Sequence, residues 1–243
     1  MKQTSNLSDK VVLVTGASRG IGAAAARLFA SEGAHVILCG RDMDALLEQE
    51  KQLNTLGHGT IMAIRADFKN ETAIRRLFDV ISERFSKLDV LINNAGILKT
   101  APFEEQSTVE WDETYQVNIR ALMLCSQSAF RLMKPQKKGT IINVSSLSGI
   151  KGIEKFPGMA AYIMSKHAVV GLTEALAVEG KPFGIRVNCI APGAVNTAML
   201  QDAFPNFHSE TKPSDIAPTL LFLADEQHAS KLTGAVIEIH CNP

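Results

Sequence analysis

Val11-Val12-Leu13-Val14-Thr15-Gly16-Ala17-Ser18-Arg19-Gly20-Ile21-Gly22 is the stretch on which the fold turns. A β-branched run leads straight into glycines spaced G-x-x-x-G-x-G, and an Ala-rich segment with helical character, residues 21–31, follows. A strand that turns through glycines into a helix can bring its backbone against a pyrophosphate. The helix N-terminus there offers unpaired N–H groups and the positive end of its dipole. The spacing is not the G-x-G-x-x-G of the general dinucleotide fingerprint, and a tight strand-to-helix turn also uses glycine for steric reasons alone. Position supports the nucleotide reading, because the turn follows the first strand and a βαβ unit continues behind it. The same residues spell G-x-S-x-G around Ser18, the nucleophile elbow of α/β-hydrolases. An elbow normally has several strands before it, whereas only ten residues precede this strand and none of the six histidines sits in a recognisable partner context.

Outward from this turn the chain repeats one pattern: a short β-branched run, a turn, an amphipathic helix. Strands are predicted at 11–15, 35–39, 60–65, 90–93, 140–145, 185–190 and 235–239. Helical spacing covers 21–31, 43–56, 71–85, 108–134, 160–180 and 214–224. Residues Ile74, Leu77, Phe78 and Ile81 share one helical face. The strand runs do not alternate apolar with polar, as expected of a parallel sheet buried on both faces. The expected architecture is one α/β domain over residues 1–243, a Rossmann-like doubly wound parallel sheet of about seven strands flanked by helices. Fold alone does not decide function.

Composition narrows the classes. Hydrophobic residues make up 46% and charged residues 21% of the 243, enough for a large core and inconsistent with low-complexity disorder. Lys+Arg and Asp+Glu both number 25, which argues against a sequence-independent grip on nucleic acid. No apolar run is long enough to cross a membrane, and the first nine residues carry no apolar signal region, so a cytoplasmic chain is expected. Cysteines at 39, 125, 189 and 241 form neither CxxC nor a His-matched spacing, and no metal site is expected. His240 beside Cys241 reads as a coincidence near the terminus.

A dinucleotide site reads its adenosine ribose at the end of the second strand, where an acid bonds the 2′-hydroxyl and arginine accommodates a 2′-phosphate. Here Gly40 stands 18 residues beyond Gly22, at about the position of the acid, and Arg41 follows. An acid about 4 Å from that phosphate would cost roughly 4 kcal/mol at an effective dielectric of 20. Its absence, with Arg19 and Arg41 nearby, favours NADP(H) over NAD(H). Asp42 could reach the ribose, but capping the helix that starts near Met43 is the simpler role.

Tyr162 and Lys166 lie four apart on a predicted helix and so share a face. A phenol titrating near 10 is a poor acid–base catalyst at neutral pH; bringing it toward 7 takes about 4 kcal/mol of phenolate stabilisation. A close ammonium and the positive charge of an oxidised nicotinamide together could supply it.

With these residues in order, the chain resembles the short-chain dehydrogenase/reductases, from Lys10 to about Ile239. The resemblance rests on Thr15-Gly16-x-x-x-Gly20-x-Gly22, Asn93-Asn94-Ala95-Gly96, Asn118, Ser146 with Tyr162-x-x-x-Lys166, and Pro192-Gly193 with Thr197. It implies a hydride transfer between a nicotinamide and a carbonyl or secondary alcohol, with Tyr162 as general acid or base and Lys166 lowering its pKa and binding the nicotinamide ribose. Ser146, rather than Ser145 or Ser148, would hydrogen-bond the substrate oxygen, and Asn118 would hold a water of the proton relay. Gly16, Ser18, Arg19, Gly20, Ile21 and Gly22 would cradle the pyrophosphate. Asp67 and Phe68 would meet the adenine, and Asn93, Ala95 and Gly96 the adenosine side. Pro192, Gly193, Val195 and Thr197 would hold the carboxamide. A homodimer or homotetramer formed through the long helices is implied as well.

Two departures stand out. Ser146 and Tyr162 are 16 apart, so residues 150–159 carry extra length and should border the substrate pocket. The chain after Gly234 lacks the family's usual ending, which bears on subunit contacts rather than catalysis. Residues 198–207 form a short, partly apolar specificity region without a cationic clamp, so a neutral ketone, aldehyde or secondary alcohol is expected. Reduction of 3-oxoacyl groups on acyl carrier protein is the alternative, with Arg131, Lys134, Lys137 and Lys138 facing an acidic carrier; more simply they form a solvated helix end. A non-catalytic nucleotide sensor is the alternative of another class.

Overall fold

The computed structural model describes residues 7–56, 59–153 and 155–241. Most of the polar start, Glu154 of the 150–159 segment and the last two residues therefore lie outside the described residues. Seven strands form one sheet: β1 (Val11–Thr15), β2 (His35–Gly40), β3 (Ile61–Arg65), β4 (Val90–Asn93), β5 (Gly139–Val144), β6 (Ile185–Pro192) and β7 (Val236–Ile239). Their order is β3-β2-β1-β4-β5-β6-β7, and every neighbouring pair is parallel. The helices are α1 (Gly20–Ser31), α2 (Met43–Asn54), α3 (Glu71–Phe85), α4 (Thr108–Tyr115), α5 (Ala121–Gln136), α6 (Ala160–Gly180), α7 (Ala198–Ala203), α8 (Pro213–Ala224) and α9 (Glu226–Ala229).

β1 shows why the strands do not alternate in polarity. Val12 and Val14 pack with Ala26 and Phe29 of α1 and Leu220 and Leu223 of α8. Val11 and Leu13 point the other way, against Leu77 and Ile81 of α3 and Ala129 of α5. Each fully buried side chain of this kind contributes roughly 1.5–3 kcal/mol, and both faces of the strand require one. The predicted face Ile74, Leu77, Phe78 and Ile81 is the buried face of α3.

Local chemistry fixes the helix starts. The Asp42 carboxylate accepts from Ala45 N–H at 3.1 Å and caps α2, as the simpler reading expected. Asn70 accepts from the N–H groups of Thr72 and Ala73 at the head of α3. Ser107 and Glu110 form a reciprocal capping box at α4.

One prediction needs correction. The helix expected over 108–134 is two helices, α4 and α5, joined by a π turn over Gln116–Arg120. Such single wide turns insert one residue into a helix and re-aim its side chains. Here the turn carries Asn118.

Candidate active site

The order of strands reverses between β1 and β4, and an open sheet binds ligands in the crevice at the carboxyl ends of the strands at such a point. A cleft of about 1120 Å³ lies there. Single-ligand pockets run roughly 300–1,000 Å³, so the volume suits a dinucleotide beside a substrate.

At one end the glycine turn forms the wall. Gly16 and Gly20 adopt φ of 68° and 62°, a region that side chains other than glycine rarely enter. Gly16, Ser18, Arg19, Gly20 and Ile21 line the cleft. α1 begins at Gly20 with no side-chain cap and no acid in its first turn, leaving its N–H groups for an anion. Gly22 does not line the cleft. A β-carbon there would stand 2.3 Å from the Gly16 carbonyl oxygen, so this glycine lets α1 pack onto the turn rather than touching a ligand. Arg41 and Asp42 follow along the same wall, and neither Arg19 nor Arg41 is ion-paired among the described residues.

Asp67, Phe68, Ala95, Gly96, Pro192, Gly193, Val195 and Thr197 all line the cleft as expected. Asn93 does not. It is buried under the sheet end, where its Nδ2 donates to Ser126 Oγ at 3.0 Å and to Asn143 Oδ1 at 2.9 Å. Its neighbour Asn94, within the 93–96 run expected on the adenosine side, lines the cleft instead. The Asn94 amide donates to the carbonyls of Thr15 (3.0 Å) and Gly16 (3.1 Å), tying β4 to the glycine turn. An Asn facing a glycine turn across a switch point is the signal that could have found it.

The candidate catalytic side chains Ser146, Tyr162 and Lys166 all line the cleft. The Ser146 hydroxyl is near enough to Tyr162 to pull the phenol's pKa down, and Ser146 Oγ accepts from Ser148 N–H at 3.1 Å. Ser145, by contrast, is buried and donates to the Lys166 carbonyl at 2.8 Å. Lys166 is buried at 5% exposure, and its ammonium donates to the Val144 carbonyl at 2.9 Å. The same nitrogen lies 5.5 Å from the Tyr162 ring centroid.

Burial sets the electrostatics of both groups. Burial pushes the Tyr162 phenol up to about 12, with the Ser146 hydrogen bond pulling the other way. Burial likewise pushes Lys166 down to about 8. Low-dielectric surroundings disfavour the charged form of both groups.

Asn118 is bonded within the protein on both sides. Its Nδ2 donates to the Ile97 carbonyl (2.9 Å) and to Ser165 Oγ (3.0 Å), and its Oδ1 accepts from Ile97 N–H (2.8 Å). Both N–H groups are engaged within the protein, so the side chain braces this part of the site. Ser165 in turn donates to the Tyr162 carbonyl at 2.7 Å, so the brace runs from β4's exit to the catalytic helix.

The far end of the cleft is apolar. Leu98, Ile153, Phe156 and Met159 face Met199, Leu200, Phe204 and Phe207 across it. The extra length at 150–159 and the region 198–207 thus both border the pocket as expected, although α7 within the latter was not foreseen. His240 and Cys241 line this end too. The unusual ending therefore reaches the site, contrary to its expected restriction to subunit contacts.

The group that fits the first half of the cleft is a nicotinamide dinucleotide: a positive-φ glycine turn, uncapped helix N–H groups and two unpaired guanidiniums form one continuous wall. No described helix is long and apolar enough to cross a membrane. The family model for short chain dehydrogenases matches residues 10–207. The chain is 34% identical to cyclopentanol dehydrogenase of Comamonas testosteroni, over 93% of this chain and 95% of the relative. It is 34% identical to the 3-oxoacyl-[acyl-carrier-protein] reductase of Thermotoga maritima, over 96% and 97%. The crystal structure of levodione reductase superposes with a TM-score of 0.88 at 30% identity, covering 96% of both chains. The chain belongs to the short-chain dehydrogenases, a family of nicotinamide-dependent oxidoreductases.

Proposed function

We propose that the protein is an NADP(H)-dependent oxidoreductase that interconverts an uncharged carbonyl compound and its secondary alcohol. The observation that carries this reading is that Ser146, Tyr162 and Lys166 line one cleft, with the Lys166 ammonium 5.5 Å from the Tyr162 ring centroid. When bound, the dinucleotide supplies or accepts the hydride. Ser146 donates a hydrogen bond to the substrate oxygen, and Tyr162 gives that oxygen its proton in reduction. A phenol held at about 12 is protonated at neutral pH and ready for this direction. In oxidation it must first lose the proton, and the positive charges of Lys166 and an oxidised nicotinamide favour that loss. Lys166 positions the nicotinamide ribose from its place beside Gly96, whose β-carbon site lies 3.7 Å from its Nζ.

The preference for the 2′-phosphate is supported by Gly40 where an acid would stand and by the free guanidiniums of Arg19 and Arg41. Asp42 is held as the α2 cap. Exposed Val109 and Tyr115 of α4 and Met164 and Val178 of α6 support a homodimer or homotetramer, working in the cytoplasm as one 243-residue catalytic domain. Of the basic cluster, Lys138 is paired with Glu226 at 2.6 Å and Lys134 lies 4.3 Å over the Phe183 ring. That placement favours a solvated helix end over a carrier-protein dock. Replacing Tyr162 by Phe tests the reading: turnover of an active ketone with NADPH should fall by about 10²–10⁴-fold, and undiminished turnover would overturn it.

A further inference from the structure

Residues 155–159 cover the substrate end of the cleft and are held at two places. The Lys155 ammonium donates to the carbonyls of Leu147 (3.2 Å) and Ile150. The Gly158 carbonyl accepts from Ala101 N–H (3.1 Å) and from the Gln106 side-chain amide (2.9 Å). Gln106 donates to the Ala101 carbonyl as well, so the second anchor is itself braced. Burial pushes the Lys155 pKa down, consistent with an ammonium drawn from water toward those carbonyls.

Between the anchors Phe156 stands 52% exposed on the rim. Its ring centroid lies 6.2 Å from that of Phe204, just past α7, with the planes tilted by 53°. The pair therefore joins the two sides of the pocket mouth. Beneath it lie Leu98, Ile153, Met159, Leu200 and Phe207. Among the described residues that line this end there is no carboxylate and no guanidinium, and the nearby Lys155 ammonium is taken up by backbone carbonyls. A broad apolar wall rewards a ligand in proportion to the apolar area it covers. A ring system covers such a wall; a short chain does not.

We propose that Phe156, positioned by Lys155, forms with Phe204 the outer wall that selects bulky, uncharged cyclic carbonyl compounds over small ones. This rests on the oxidoreductase reading above and adds its substrate class. Lys155 is a positioning residue: it acts through the carbonyls that set where Phe156 stands.

The test uses 2-decalone and acetone as probes on the full chain. Binding to the NADP⁺-loaded protein is measured by calorimetry, and kcat and KM are measured with NADPH. Wild type should bind 2-decalone at least 100-fold more tightly than acetone. Phe156→Ala and Lys155→Met should each lower that ratio at least tenfold, chiefly through KM for 2-decalone. Lys155→Arg, which keeps a donor for the two carbonyls, should restore most of it. NADPH affinity from nucleotide fluorescence reports whether each variant is folded, and Phe156→Leu replaces an unfolded Phe156→Ala. An unchanged ratio in the Phe156 variant overturns the wall, and an unchanged ratio in Lys155→Met overturns the positioning role. If wild type reduces neither ketone, the oxidoreductase reading fails while the binding ratios still decide the wall.

Discussion

The Lys166 ammonium donates to the Val144 carbonyl at the end of β5 at 2.9 Å, while the Tyr162 ring centroid lies 5.5 Å from the same nitrogen. The lysine is thus anchored to the sheet and only adjacent to the phenol. Its burial has a measurable consequence. With Lys166 moved from 10.5 to about 8, the unfolded chain holds a proton between those pH values that the folded protein has released. Unfolding free energy then rises with pH across that window, by about 3 kcal/mol in all. Tyr162, moved from 10 to about 12, acts in the opposite sense above pH 10. Urea unfolding of wild type and Lys166→Met at pH 7.5 and pH 10 should show wild type gaining about 2–3 kcal/mol relative to the variant. A constant difference would mean that the amine titrates normally in the folded protein.

Cofactor choice is open to a two-sided test. A β-carbon at Gly40 would meet nothing closer than 3.8 Å, from Leu46 and Ser18 side chains, and the backbone there is not in the left-handed region. Gly40→Asp should therefore fold, place a carboxylate beside the ribose 2′-position and lower NADPH affinity. At about 4 Å and an effective dielectric of 20 the penalty is roughly 4 kcal/mol, reduced by salt in solution. The NADPH:NADH ratio of kcat/KM should fall at least tenfold in Gly40→Asp and in Arg41→Ala. Equal losses with both nucleotides would refute the 2′-phosphate contact.

Asn118 joins the exit of β4 to α6 through Ile97 and Ser165, so its removal should be felt as stability first. Asn118→Leu leaves the Ile97 N–H and carbonyl without their partner. Each unsatisfied buried group costs about 1–3 kcal/mol, for a total of roughly 2–5 kcal/mol. Calorimetry should find Tm lowered by about 5–15 °C, on the basis of about 2–4 °C per kcal/mol for a chain of this size. A Tm within about 2 °C of wild type would show that the brace is dispensable.

Two glycine-to-alanine changes should move in opposite directions. At Gly22 the new methyl would meet the Gly16 carbonyl and Asn94, so the turn must shift and nucleotide affinity should drop at least tenfold. At Gly171, inside α6, nothing lies within 4 Å of the new methyl. There alanine should stabilise by about 0.5–1 kcal/mol, read from the urea midpoint.

The strands were legible because each is a short β-branched run bounded by turns, and all seven predicted runs overlap observed strands. Tyr162, Lys166, Ser146 and the glycine turn were legible because spacing along one helix or one turn already fixes their geometry. Asn93 and Asn94 were not separable on those grounds: adjacent strand residues point to opposite faces, and only the register of β4 with β5 sends Asn93 toward Asn143. The π turn was invisible because helical periodicity runs through it with one residue of slippage. Phe156 and Phe204 lie far apart in sequence, and no periodicity links two loops that meet across a cleft.

Because β1 feeds its side chains alternately into both layers, neither layer can peel away and expose that strand alone. Its amides open only when both helical layers are lost, which places them among the slowest in the protein to exchange with deuterated solvent. The edge strands β3 and β7 each have a single neighbour in the sheet, so the slow-exchanging amides should be concentrated at the centre, next to the glycine turn. Thermal fluctuation at the rim then leaves that turn in register.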